Sequence, residues 1–228
     1  AALIGERLPN TLTLAGAALG LSCLVGIPMG ILQALRRNTW LDHLLSLLSA
    51  IGLAVPVFWL GIVLILVFAV SLRVLPSAGL TSVSDGSLGD RLAHLVLPTL
   101  ALATTVLPTV VRFMRSSLLE VLGAEYMRTA QAKCLAARVV LGRHGLPNAL
   151  IPVLSAVGAL VPRLLGGTVV TEAVFGWPGM GRLALAAANG RDYPLVTGIA
   201  VVVAAIAVAT TVVVDLAYTR LDPRVRLS

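Results

Sequence analysis

Charge is the scarcest commodity in this sequence. Of 228 residues, 12% are charged and 4% aromatic; there is one lysine, Lys133, with two cysteines and three histidines. Soluble domains carry about 25% charged residues. A chain with half that share and a mean hydropathy of +0.98 would present far more apolar surface than a soluble monomer tolerates. The shortage excludes a soluble enzyme and a disordered chain, and leaves a polytopic membrane protein. Two cysteines exclude a disulfide framework. Cys23 lies in an apolar run and Cys134 in a basic stretch, so no bond between them is expected. His43, His94 and His144 lack metal-ligand spacing, so no metal is assigned. The phosphate-binding pattern G-x-x-x-x-G-K-[ST] is missing, so this chain is not expected to bind ATP in that way. Glu6, Arg7 and Pro9 interrupt the opening stretch, which is therefore no signal peptide.

What the sequence has is long apolar runs. About 20 such residues cross the hydrocarbon core as a helix. Five runs qualify: residues 11–35, 43–72, 95–113, 150–174 and 195–218. The second is overlong, and Pro56 is placed to kink or divide it. The runs are continuous and rich in Ala, Leu and Val, unlike the alternating short segments of a β-barrel. The expected fold is all-α with five transmembrane helices.

The net charge of +7 reads as basic loops on one side of a membrane rather than as a nucleic-acid surface. Sorted by alternate sides, Arg36, Arg37, Arg112, Arg115, Arg128, Lys133 and five further basic residues face one way, 11 in all, and 5 face the other. Basic loops stay in the cytoplasm. The start of the chain is then expected outside and its end inside, with an earlier helix preceding Ala1. Residues 73–93 and 175–193 become external loops, and 114–149 a long cytoplasmic segment.

That segment is the most informative stretch. Residues 125–133 and 135–141 read as two short helices. Small alanines and scattered basic residues fit two uses: docking on a partner protein, or resting on anionic membrane lipid.

The sequence of the segment resembles the cytoplasmic "EAA" loop of permease subunits in ATP-binding-cassette importers. Thr129-Ala130-Gln131 stands at the Glu-Ala-Ala positions, Cys134 at the glycine position, and His144-Gly145-Leu146-Pro147 at the Ile-x-Leu-Pro end. It is more similar still to the version found in the dipeptide, oligopeptide and nickel branch, through Tyr126, Arg128, Thr129, Ala130, Ala132, Lys133, Leu135, Arg143, His144, Asn148 and Pro152. Cys134 is the departure, because glycine there favours a left-handed turn. Further stretches resemble the same branch: Arg7-Leu8-Pro9-Asn10-Thr11-Leu12, Gly26-Ile27-Pro28-Met29-Gly30, Thr171-Glu172-Ala173-Val174-Phe175, Trp177-Pro178-Gly179-Met180-Gly181, and Leu221-Asp222-Pro223-Arg224.

The resemblance implies the transmembrane domain of a type I importer, the first permease of a pair, whose relatives begin with one more helix and an external domain. It implies a second permease subunit, two ATPase subunits that use ATP and Mg, and an external solute-binding protein. The chain itself would be no enzyme and bind no cofactor. Glu125, Arg128, Thr129, Ala130, Gln131, Ala132, Lys133, Cys134, Leu135 and Arg138 become the expected ATPase-coupling residues. The cargo expected is a di- or oligopeptide, with a nickel or metal chelate as the alternative.

Within the spans, Arg163 lies near mid-depth, where charge is costly. It either lines the translocation path or makes a structural pair at a subunit interface. Glu172 is expected to cap its helix among headgroups or orient a gate. Trp177 and Pro178 are expected in an external turn at the membrane interface, with a gating or receptor-docking role as the alternative. Gly166-Gly167-Thr168 is expected to let helices approach closely. Ser22-Cys23 has no visible base, which argues against an intramembrane hydrolase. A secondary transporter remains the competing class, and it leaves the 114–149 segment without a role.

Overall fold

The computed structural model describes residues 2–82, 86–132 and 136–221. The described residues form helices and connections, with no strand among them. They run α1 (Ala2–Leu35), α2 (Trp40–Ala54), α3 (Val57–Leu64, widening into π-type turns over Ile65–Ser71), α4 (Leu88–Gly123), α5 (Glu125–Ala132), α6 (Ala137–Val140, with π-type turns over Leu141–Gly145), α7 (Leu146–Val174), α8 (Met180–Asn189) and α9 (Tyr193–Leu221).

Among the described residues four helices are long and apolar enough to cross a membrane. They contain four of the five expected runs. The remaining run, 43–72, is broken: α2 and α3 meet at Pro56 with a bend of 98°. The proline lacks a donor, and its ring excludes the preceding residue from helical geometry. Accordingly Val55 is extended, at φ −79° and ψ 122°. The 15 residues of α2 reach only about 22 Å at 1.5 Å per residue, short of the ~30 Å core, so neither half spans alone.

α4 is the central element. Its 36 residues form a rod of about 54 Å, and it packs against α1, α2, α3 and α7. Leu102, Val110, Met114 and Leu118 on α4 join Leu14 of α1 and Val153 and Leu164 of α7 in the main core. The rod starts at Leu88, inside the expected loop 73–93, where the Ser87 hydroxyl accepts from the Asp90 N–H at 3.2 Å. It continues to Gly123, so the first part of the 114–149 segment is an extension of the span rather than a loop.

α1 and α4 approach closely because α1 carries Gly26 and Gly30 one turn apart. A Cβ on Gly30 would lie 2.6 Å from the Met114 Cβ and 2.7 Å from the Val111 carbonyl oxygen. Of the stretch Gly166-Gly167-Thr168, a Cβ on Gly167 would meet Leu102 Cδ1 of α4 at 3.6 Å, an ordinary contact, whereas among the described residues nothing lies within 4 Å of one on Gly166. Beyond the far end of α1, the Asp42 carboxylate receives Arg115 through Nε at 3.0 Å and Nη2 at 2.8 Å. This bidentate pair holds α2 on α4.

Candidate functional site

Three places in the fold carry chemistry. At one end of the bundle, α5 leaves α4 through the extended residue Ala124. Met127 and Ala130, three residues apart, fall on one face of α5. They pack with Val140 against Val121 and Leu122. The opposite side of the segment stays exposed: Glu125, Tyr126, Arg128, Thr129, Ala132 and Arg138. This divides the coupling residues expected from sequence. Ala130 is 9% exposed and belongs to the anchoring face, not to the contact surface where it was expected. Lys133, Cys134 and Leu135 lie outside the described residues, as does the Gln131 side chain. Ser117 of α4 ties down the far end of the segment, its hydroxyl donating to the Ala149 carbonyl at 2.8 Å.

At the other end of the bundle lies a buried polar junction. The connection after α7, expected as a loop, contains the ten-residue α8. Glu172 points into the junction and is fully buried, which overturns its placement among headgroups. One carboxylate oxygen accepts from the Thr11 hydroxyl at 2.6 Å. The other accepts from the Arg182 N–H at 3.0 Å. The Thr11 hydroxyl in turn accepts from the Met180 N–H at 2.7 Å. Met180 and Arg182 belong to the first turn of α8, whose N–H groups have no partner within their own helix. Thr11 and Glu172 therefore cap α8 from two other helices.

The same junction takes in the turn before α8. Trp177 donates its indole N–H to the Asn10 carbonyl at 3.0 Å, and the Asn10 side chain donates to the Pro178 carbonyl at 2.9 Å. Trp177 is 1% exposed and packs in the main core, so it is not the membrane-interface residue expected. Gly176 makes the turn at φ +59°, a conformation glycine adopts without strain. Its carbonyl accepts from Arg182 Nη1 at 2.9 Å. Gly179 leaves room for Glu172: a Cβ there would collide with the Glu172 carboxylate. Asn10 and Thr11 were the residues sequence reasoning missed. The only signal for them was their place in the family-like stretch Arg7–Leu12.

The third place is a line along α7. Every exposed residue between 151 and 172 falls on it: Pro152, Ser155, Ala159, Arg163, Gly166 and Val170. Their spacings of three and four define one narrow helical stripe. Arg163 sits at its middle, exposed, with no hydrogen bond or ion pair to another described residue. Ser22, by contrast, is spent on structure: its hydroxyl contacts the Ala18 and Ala103 carbonyls at 2.7 and 3.2 Å.

The family model for "binding-protein-dependent transport system inner membrane component" matches residues 26–227. The chain belongs to that family. The permease is 40% identical over 224 residues to the oligopeptide transport system permease protein AppB of Bacillus subtilis, covering 98% of this chain and 71% of that protein. It is 37% identical over 242 residues to the dipeptide transport system permease protein DppB of Escherichia coli, covering 96% of this chain and 71% of that one. Among solved structures, the permease resembles an inward-facing form of the MetNI methionine ABC transporter with a TM-score of 0.78 at 18% identity, covering 96% of each chain. A crystal structure of an amino acid ABC transporter with histidines gives 0.67 at 16% identity, covering 96% of this chain and 94% of that one. These likenesses make the fold that of a type I ABC importer transmembrane domain and the permease a multi-pass membrane protein.

Proposed function

We propose that this permease is one of two paired transmembrane subunits of an ATP-driven importer that moves di- or oligopeptides across the cytoplasmic membrane. The α5–α6 segment is the observation that carries the reading. It is anchored by Met127, Ala130 and Val140 while Tyr126, Arg128, Thr129 and Arg138 face outward. A helix held from behind and bare in front is built to be pushed. Separate ATPase subunits, using ATP and Mg, press on that surface.

The motion has a stiff route. α5 follows α4 after one intervening residue, and α4 is one continuous helix through the core. At its far end the bundle is closed by the Thr11–Glu172–Met180 junction. Coupling requires that the contacts on α5 differ between the two states of the ATPase pair. The Lys/Arg asymmetry supports an orientation with α5 and the C-terminus on the cytoplasmic side and the Trp177 end outside, where a solute-binding protein delivers cargo.

Peptide is favoured by the names of the relatives, AppB and DppB; the nickel alternative gains no support from them. The α7 stripe supplies a surface for the path or for the paired subunit. A lipid-facing stripe would be apolar, and this one carries at mid-helix an arginine that has no partner among the described residues. The test is co-purification of the full-length tagged protein from its own host in mild detergent, with mass spectrometry. Recovery of a second permease, ATPase subunits and a peptide-binding protein is expected. Recovery of the chain alone, with transport intact in vesicles lacking ATP, overturns the reading in favour of a secondary transporter.

A further inference from the structure

Between α1, α2 and α4, at the α5 end of the bundle, the fold leaves an open cavity of about 310 Å³. Its lining changes character along its length. α2 contributes Ser46 and Ser49 first, then Ala50 and Leu53; α4, running the opposite way, contributes Arg115 and Arg112, then Val111 and Pro108. The Asp42–Arg115 pair fixes the two helices in this register, and Gly52 lies beside Pro108. Polar groups therefore gather at the outer end and apolar groups toward the middle of the bundle.

At the polar end, one charge has no counter-charge among the described residues. Arg115 is neutralised by the buried carboxylate of Asp42. Arg112, three residues earlier on the same face, makes no hydrogen bond or ion pair to another described residue. Beside it, Gln33 is 2% exposed and donates to the Ser46 hydroxyl at 3.3 Å. The side of α2 turned away from the cavity exposes Leu44, Leu47, Leu48 and Ile51, with Trp40 at its start. That is the composition of a helix face against acyl chains, with an aromatic at the headgroup level.

We propose that this cavity holds one anionic phospholipid, its phosphate on Arg112 and Ser46 and the start of an acyl chain on Leu53 and Pro108. The gradient from charge to hydrocarbon over two helical turns matches an amphiphile, and basic pockets between helices at the cytoplasmic face suit anionic headgroups. A peptide would carry polar backbone groups into the apolar end, where they cost free energy without partners, and the α7 stripe with Arg163 offers it a different surface.

The test uses the full-length permease in its purified complex, reconstituted in phosphatidylcholine with and without phosphatidylglycerol. Lipid retained after detergent exchange is counted by mass spectrometry. Phosphatidylglycerol is expected to be retained over phosphatidylcholine. Arg112→Gln is expected to reduce that preference about fivefold, the worth of one basic residue facing anionic lipid, with the melting temperature unchanged. Arg91→Gln, at the opposite end of α4, is the control and should leave it unchanged. Equal retention of both lipids, or a preference untouched by R112Q, overturns the site. Displacement of the lipid by inorganic phosphate would identify a free-anion site instead, and displacement by a free-acid peptide a cargo subsite; either result also overturns it.

Discussion

The Thr11 hydroxyl stands between the Glu172 carboxylate, to which it donates at 2.6 Å, and the Met180 N–H, from which it accepts at 2.7 Å. One hydroxyl thus joins α1 to the end of α7 and the start of α8. Thr11→Val keeps the shape and removes both bonds. Each buried group left unpaired costs about 1–3 kcal/mol. The melting temperature of the purified complex should fall by several degrees, and protease should cut faster between α7 and α8. Thr11→Ser should restore both values. A Thr11→Val protein as stable as the parent would remove the junction's structural role.

Ala130 and Arg128 are two residues apart on α5 and should fail for different reasons. Ala130→Glu places a carboxylate against Met127 and Val140, where an unpaired charge is not tolerated. The α5–α6 segment should detach and become protease-sensitive, with transport lost as a consequence. Arg128→Glu changes an exposed residue. The segment should stay protected while ATPase capture in pull-downs weakens. Equal protease sensitivity in the two variants would contradict the division of α5 into an anchoring and a docking face.

Gly30 is the tightest point between α1 and α4 described here. Gly30→Val sets side-chain atoms against Met114 and the Val111 carbonyl, and overpacking of this kind costs about 1–3 kcal/mol. Reduced yield and a lower melting temperature are expected. Gly16→Ala, where nothing lies within 4 Å, should be neutral or slightly stabilising, because alanine is the better helix former.

Arg163 offers a choice between path and interface that one pair of assays resolves. If the arginine meets peptide carboxylates, Arg163→Gln lowers uptake of free-acid peptides more than of C-terminally amidated ones. If it pairs with the second subunit, both fall together and the subunits separate in detergent. The account predicts one of these two patterns. Full transport of both peptides by an intact Arg163→Gln complex would remove the residue from either role.

The spans were legible because a membrane helix announces itself by composition alone. So was the break at Pro56, because the run 43–72 is too long for one straight span; a proline alone does not mark a break, since Pro98, Pro108, Pro152 and Pro162 lie inside α4 and α7. The burial of Glu172 was not legible. Its partner Thr11 lies 161 positions away, and nothing local distinguishes a buried carboxylate from one at the headgroups. Helix α8 was hidden for a similar reason. Its first turn is capped by Thr11 and Glu172 rather than by its neighbours, so Trp177-Pro178-Gly179-Met180-Gly181 reads as a loop. The inward face of α5 was legible in principle: Met127 and Ala130 have the spacing of one helical face. The family pattern drew attention to Ala130 as a contact, whereas the structure packs it with Met127 and Val140.

If force enters through the exposed face of α5, as proposed, peptide uptake will show it in vesicles holding the assembled importer, with binding protein outside and ATP inside. Parent and Arg128→Glu/Arg138→Glu complexes are compared, and ATP hydrolysis is measured in the same vesicles. ATP-dependent uptake by the parent is expected, with at least about a tenfold loss in the double variant, a factor of ten corresponding to about 1.4 kcal/mol of coupling, and with the spans still folded. Uptake that needs no ATP, or that is unchanged by the double reversal, would contradict it.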